Sequence, residues 1–198
     1  MDLTSSASPG HTGADPVASN PAPSELTVGE LRRSPERFAE VYEASYDGIA
    51  NYVHRRVGNR EACEDIVSDV FLAALDGLKS ARRTRAPVRF WLLRIATNRV
   101  NRWMRRERGR LVLETEAVAH STSGVDEGAG STVPEELRAA LRSLAVERQD
   151  VLTLYYLEEL SVEEVSQVLG CRPGTVKSRL SRGRAELAQE LERRRIRS

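Results

Sequence analysis

Between Ala81 and Arg110 the chain places eleven arginines, no lysine and a single acid, Glu107. That is a net charge of +10 over thirty residues, in a protein of 198 residues whose total is only +1. Phe90, Trp91 and Trp103 are interleaved with Arg89, Arg94, Arg99, Arg102 and Arg105, and Asn98 and Asn101 add amides. Guanidinium groups neutralise phosphates, aromatic rings stack on bases, and amides bond base edges. The combination suits a surface that tracks a nucleic-acid backbone and stacks bases. A second basic block runs from Arg172 to Ser198. Two separate basic surfaces on a nearly neutral chain point to two contacts with a polyanion, DNA above all.

Other chemistries find less support. Asp65 and Asp69 stand four residues apart, but no third acid or histidine joins them in a metal-binding motif, which argues against a nuclease. The two cysteines, Cys63 and Cys171, lie 108 residues apart with no CxxC spacing, and the three histidines, His11, His54 and His120, are scattered. Reduced thiols are expected rather than a zinc site or a disulfide, and no cofactor is implied. No stretch approaches the ~18–20 apolar residues of a membrane helix. A basic N-terminal region followed by an apolar core is also missing, so no membrane insertion and a cytoplasmic location are expected.

The elements that must position these residues read as helices. Residues 1–32 are rich in Ser, Ala, Pro and Gly, with acids dominating the first thirty, and are expected to form a disordered tail. Residues 33–110 carry helical periodicity. Phe38, Val41, Tyr42, Ser45 and Ile49 keep a 3.6-residue period. Gly58 can end that helix and Asn59 can cap the next. In the next, Cys63, Ile66, Val67, Val70, Phe71, Ala74, Leu75 and Leu78 define one buried face, opposite Glu61, Glu64, Asp65, Ser68, Asp69 and Asp76. A basic loop over 77–87 leads to an arginine-rich helix from Val88 to about Arg108. Residues 111–133 turn acidic and Gly-containing, the composition of a flexible linker and a domain boundary.

From Pro134 helical patterning returns and continues to about residue 195. Ser161-Val162-Glu163-Glu164 fits a capping box, Gly170 ends the short helix it opens, and Pro173 starts the last one. Helix, glycine turn and helix together read as a helix-turn-helix, whose second helix enters the major groove. With Val176 and Leu180 inward, Thr175, Ser178, Arg179 and Arg182 point outward, and Lys177, Ser181 and Arg184 flank them. Arg pairs bidentately with guanine O6 and N7, while Lys and Ser suit phosphates or mixed contacts.

Three stretches carry a family resemblance: Glu61 through Leu75, Phe90 through Arg99, and Leu160 through Leu187. Together they resemble bacterial RNA polymerase sigma factors of the extracytoplasmic-function group. The resemblance implies an all-α protein of two small helical domains, a sigma region 2-like bundle and a sigma region 4-like helix-turn-helix, joined by the linker. It implies a polymerase contact on Asp65, Ser68, Asp69 and Leu72. Recognition of the −10 element would fall on Arg89, Asn98, Arg102 and Arg105, and of the −35 element on Arg172, Thr175, Lys177, Ser178, Arg179 and Arg182. Expected partners are core RNA polymerase (clamp and flap) and promoter DNA, double- and single-stranded. An anti-sigma factor is allowed, the free protein is expected to be a monomer, and no catalysis is implied. A stand-alone helix-turn-helix regulator is the alternative. It would need a sensory or dimerisation domain, and residues 35–110 offer neither a ligand-pocket signature nor a heptad.

Overall fold

The N-terminal half is built on three long helices. The computed structural model describes residues 22–23, 25–80, 85–117 and 134–197, and among these there is no β-sheet. A short helix α1 (Val28–Leu31) is followed by a 3₁₀ turn and α2 (Phe38–Val57). Gly58 ends α2 in the left-handed conformation at φ 75°. The Asn59 side chain then accepts the Ala62 amide at 2.8 Å, starting α3 (Arg60–Ser80). The fourth helix, α4 (Val88–Ala117), packs against both α2 and α3. Their shared core holds Val41, Tyr52, Val53, Val67, Val70, Ala74, Leu92 and Val100, all within 3% of full burial.

The C-terminal half is a bundle of α5 (Glu135–Ser143), α6 (Val146–Leu152), α7 (Val162–Leu169) and α8 (Pro173–Arg197). α6 runs on into a π-helical turn at Thr153–Leu157. Gly183 is buried where α8 crosses α6; a Cβ there would stand 3.1 Å from the Leu152 Cδ1. The absent side chain lets the two helices approach. The halves are not held apart. α7 packs on α4, α5 packs on α2, and a single hydrophobic core runs through both halves.

Two expected boundaries move. Composition predicts a tail extending to residue 32, but Leu26, Val28 and Leu31 are 0–1% exposed. Thr27 caps α1 through a reciprocal box with Glu30. Val28 N–H donates to the Ala86 carbonyl (3.0 Å) and Val88 N–H donates to the Leu26 carbonyl (2.8 Å). Three apolar side chains with a cap are enough to order a short segment against a ready-made core, and composition averaged over thirty residues hides them. Composition also predicts a linker from residue 111, but α4 continues to Ala117. Residues 111–117 hold no Gly or Pro, so nothing in them breaks a helix already propagating. The remainder of the tail and linker, 1–21, 24 and 118–133, lies outside the described residues.

α3 also differs in one place. Periodicity predicts an inward Leu75, yet it is 44% exposed. The basic loop expected over 77–87 gives up its first four residues to α3, which persists to Ser80, and residues 81–84 lie outside the described residues.

Leu31→Ala tests the new boundary. Deleting a fully buried leucine should cost about 2–4 kcal/mol of unfolding free energy in denaturant titrations. An unstructured tail through residue 32 would give no loss.

Candidate nucleic-acid interface

α4 carries the first basic surface. Asn98, Arg102 and Arg105 are exposed and fall on one stripe, three to four residues apart. The opposite side packs inward through Leu92, Leu93, Ala96, Val100 and Met104. Arg89 stands apart. It lies about two and a half turns before Asn98, so it points away from the stripe. Its Nη2 donates to the Glu158 carbonyl at 3.3 Å. Phe90, Trp91 and Trp103 are half-buried against the core, so each presents only part of its ring.

On α3, Asp65, Ser68, Asp69 and Leu72 are all exposed and share a face. Leu72 is 61% exposed, an unusual position for so apolar a side chain. On α2, Tyr42 and Tyr46 are also exposed, with ring centroids 4.6 and 6.2 Å from that of Phe71. Between α3 and α4 runs a groove of about 520 Å³ lined by Asp65, Ser68, Asp69, Arg99, Arg102 and Trp103. The structure thus brings Asp65, Ser68 and Asp69 of α3 and Arg99, Arg102 and Arg106 of α4 to the two sides of one groove. Asp69 and Arg99 pair across it at 3.6 Å, an exposed pair of small energetic weight.

The second basic surface is the helix-turn-helix of α7 and α8. The Ser161 hydroxyl accepts the Glu164 amide at 3.2 Å, and the Glu164 carboxylate accepts the Ser161 amide at 2.8 Å. That backbone hydrogen bond, aided by the serine hydroxyl, lowers the Glu164 pKa. Gly170 closes α7 at φ 64°, a left-handed turn that favours glycine. In α8, Val176 and Leu180 are buried. Arg172, Lys177, Ser178 and Arg182 are exposed, and Thr175 and Arg179 are half-buried. The Ser178 hydroxyl donates to the Thr175 carbonyl at 3.0 Å.

Sequence reasoning missed a set of residues between the halves. Arg56, 4% exposed, donates through Nη1 to Asp150 Oδ1 (2.8 Å) and Tyr52 Oη (3.2 Å), and through Nη2 to Asn101 Oδ1 (3.0 Å). Asn101 Nδ2 donates to the other Asp150 oxygen at 2.8 Å. The Thr97 hydroxyl donates to the Leu93 carbonyl (2.8 Å), which leaves Tyr52 as the donor in the 2.7 Å contact between the two hydroxyls. Burial pushes the Tyr52 phenol up to about 12. Nearby, Arg55 Nη1 donates to Glu158 Oε1 and to the Leu157 carbonyl, both at 2.9 Å. Burial raises the Glu158 pKa, and Arg55 and Arg89 draw it back down. One signal was readable. Arg56 stands at an inward position of α2, in register with Ile49, Tyr52 and Val53, where an arginine must have a buried partner.

Among the described residues no group of three or more His, Cys, Asp and Glu stands ready to hold a metal, and no helix is long and apolar enough to cross a membrane. Both cysteines are free thiols, and burial pushes Cys63 up to about 11.

Three long helices with an acidic face and an arginine stripe, packed on a capped helix-turn-helix, match known proteins in the same order. Residues 41–110 match the sigma-70 region 2 family and residues 134–187 match sigma-70 region 4. The RNA polymerase sigma factor YlaC of Bacillus subtilis (strain 168) is 32% identical over 161 residues, spanning 79% of this chain and 92% of its own length. The ECF RNA polymerase sigma factor SigW of the same organism is 27% identical over 168 residues, spanning 79% of this chain and 89% of its own. In fold, the chain resembles the sigma factor RpoE in complex with the anti-sigma factor NepR from Bartonella quintana. That likeness has a TM-score of 0.62 at 24% identity, and covers 79% of this chain and 98% of the other. The chain belongs to the RNA polymerase sigma factors of the extracytoplasmic-function group, which direct promoter-specific initiation of transcription.

The helix-turn-helix depends on its cap. Ser161→Ala should lower unfolding free energy by about 1 kcal/mol, read by denaturant titration. No loss would mean that the capping box is not formed in solution.

Proposed function

We propose that the chain divides its work as a sigma factor among three surfaces. The α3 face of Asp65, Ser68, Asp69 and Leu72 docks on the polymerase clamp. The α4 stripe of Asn98, Arg102 and Arg105, with Arg89 at the helix start, engages the −10 element and its displaced strand. Arg172, Thr175, Lys177, Ser178, Arg179 and Arg182 on the helix-turn-helix read the −35 element. The observation that carries this reading is the groove between α3 and α4, whose acidic wall suits a basic or polar protein partner and whose basic wall suits DNA. A second groove, about 410 Å³ and lined by Leu137, Leu141, Leu152, Tyr156, Leu187 and Leu191, has apolar walls that suit a helix of the polymerase flap.

On this reading the protein works in the cytoplasm, without a cofactor and without catalysis of its own. An anti-sigma factor is a further partner, by analogy with the Bartonella quintana complex of RpoE and NepR.

Co-elution with core RNA polymerase, followed by run-off transcription on fragmented genomic DNA, tests the proposal. Discrete new transcripts support it. No association with core, together with tight sequence-specific binding by the protein alone, would favour a stand-alone regulator. Asp65→Arg and Asp69→Arg change exposed side chains, so each should abolish co-elution while leaving the helical circular dichroism and its melting unchanged. Arg179→Ala should weaken binding to the −35 element by roughly 1–3 kcal/mol relative to random DNA. An equal loss on both would make Arg179 a phosphate contact.

A further inference from the structure

Two helix beginnings meet at the edge of the N-terminal half and complete each other. Val28 is the first residue of α1 and Val88 the first of α4, and both are buried. The residues just ahead of them, Thr27 and Pro87, face one another in an antiparallel bridge. Val28 N–H donates to the Ala86 carbonyl (3.0 Å), and Val88 N–H donates to the Leu26 carbonyl (2.8 Å). The opening amides of a helix have no partner within that helix. Here each helix gives its first amide to a carbonyl on the other's approach.

The two helices do not depend on this exchange equally. α1 has a cap of its own: the Thr27 hydroxyl accepts the Glu30 amide at 3.3 Å, and the Glu30 carboxylate accepts the Thr27 amide at 2.9 Å. Leu26 and Leu31 are buried on either side of it. α4 has no such cap. Pro87 carries no side-chain acceptor, and the first turn holds no acid. The Pro87 carbonyl takes the Phe90 and Trp91 amides at 3.1 and 3.2 Å, and the Val88 amide is met from outside, by Leu26. Arg85 and Arg89 are exposed around this start, and positive charge is disfavoured at the positive pole of a helix. The charge that suits a phosphate therefore works against the helix start that carries it.

We propose that residues 26–28 are a positioning device for −10 engagement: the arm caps α4 from outside and so holds Arg89 and its approach in place for DNA. Leu26 and Val28 act through α4 and touch no nucleotide. The proposal rests on the assignment of α4 to the −10 element. The two bonds share one bridge, so losing either loosens the other. The clamp face on α3 and the helix-turn-helix share neither bond, so their contacts should not feel the loss.

Val28→Pro tests the device in the full-length protein. Proline removes the amide that donates to Ala86, yet it is favoured at the first position of a helix. Thr27 is already extended at ψ 155°, the conformation adopted by a residue before proline. Val28→Ala is the counterpart: it keeps the amide and removes more of the buried side chain. Holoenzyme assembled with each form is probed with permanganate, which reads unpaired thymines, on a promoter recovered by run-off transcription. Val28→Pro should lower −10 opening about fivefold, the weight of one lost helix cap, with core affinity and nuclease protection of the −35 region unchanged. Val28→Ala should lower the melting temperature but open the promoter as the wild type does. Wild-type opening by Val28→Pro would overturn the proposal. So would a larger loss from Val28→Ala, because packing alone would then explain the effect, or a loss shared equally by opening, core affinity and −35 protection.

Amide hydrogen exchange on the protein alone is the second readout. The Val88 amide should exchange about fivefold faster in Val28→Pro, with α3 unchanged. If Val28→Pro does not fold, wild-type exchange decides. A Val88 amide as fast as a free peptide amide would overturn the proposal, and protection matching that of Val28 would support it. A wild type that opens no promoter would count against the −10 assignment, whereas the exchange comparison stands by itself.

Discussion

Arg56 carries a positive charge into a site 4% exposed, where water cannot solvate it. Such a charge is tolerated only when its partners are held in place, and here they come from three helices. Tyr52 belongs to α2, Asn101 to α4 and Asp150 to α6. The same guanidinium therefore joins two helices of one half and one helix of the other. Tyr52 passes the constraint on, through Thr97, to the backbone of α4 at Leu93. A shift in any of these helices would strand a charge, and that penalty makes the arrangement specific in a way that apolar packing alone is not.

The apolar core and the polar seam act differently. Leu92, Ala96 and Val100 bury one side of α4 without choosing a partner by chemistry. The flank with Arg94, Asn101 and Arg108 makes directional bonds to carbonyl ends and to a carboxylate. The stripe with Asn98, Arg102 and Arg105 remains in solvent. One helix thus carries a packing side, a seam and a free reading side, and its arginines are not equivalent despite their uniform appearance in the sequence.

Local rules made much of the fold legible. The Ser161–Glu164 box, the stops at Gly58 and Gly170, and the Asn59 cap depend on residues within four positions of one another, and each forms as its sequence suggests. What stayed hidden depends on distant pairing. Arg56 and Asp150 are 94 residues apart, and each is one charge among many. Leu26, Val28 and Leu31 are concealed by the polar composition around them, because burial is decided by a core assembled from residues far along the chain. Periodicity places Leu75 inward, but the helix neighbours cover a narrower arc of α3 than the apolar positions span. The stripe on α4 and the exposed face of α3 follow from helical spacing. The seam between α4 and the C-terminal half does not.

The two rungs joining Leu26 to Val88 and Val28 to Ala86 have a mechanical meaning. They tie the start of the described chain to the doorway of α4, immediately after the basic loop. Two hydrogen bonds that cross between the segments share a pull directed along the chain, as rungs of a ladder do under shear. Tension applied ahead of residue 26 would therefore arrive at residues 86–88 before it reached any other part of α4. The amino-terminal arm is a handle on the entrance to the arginine helix.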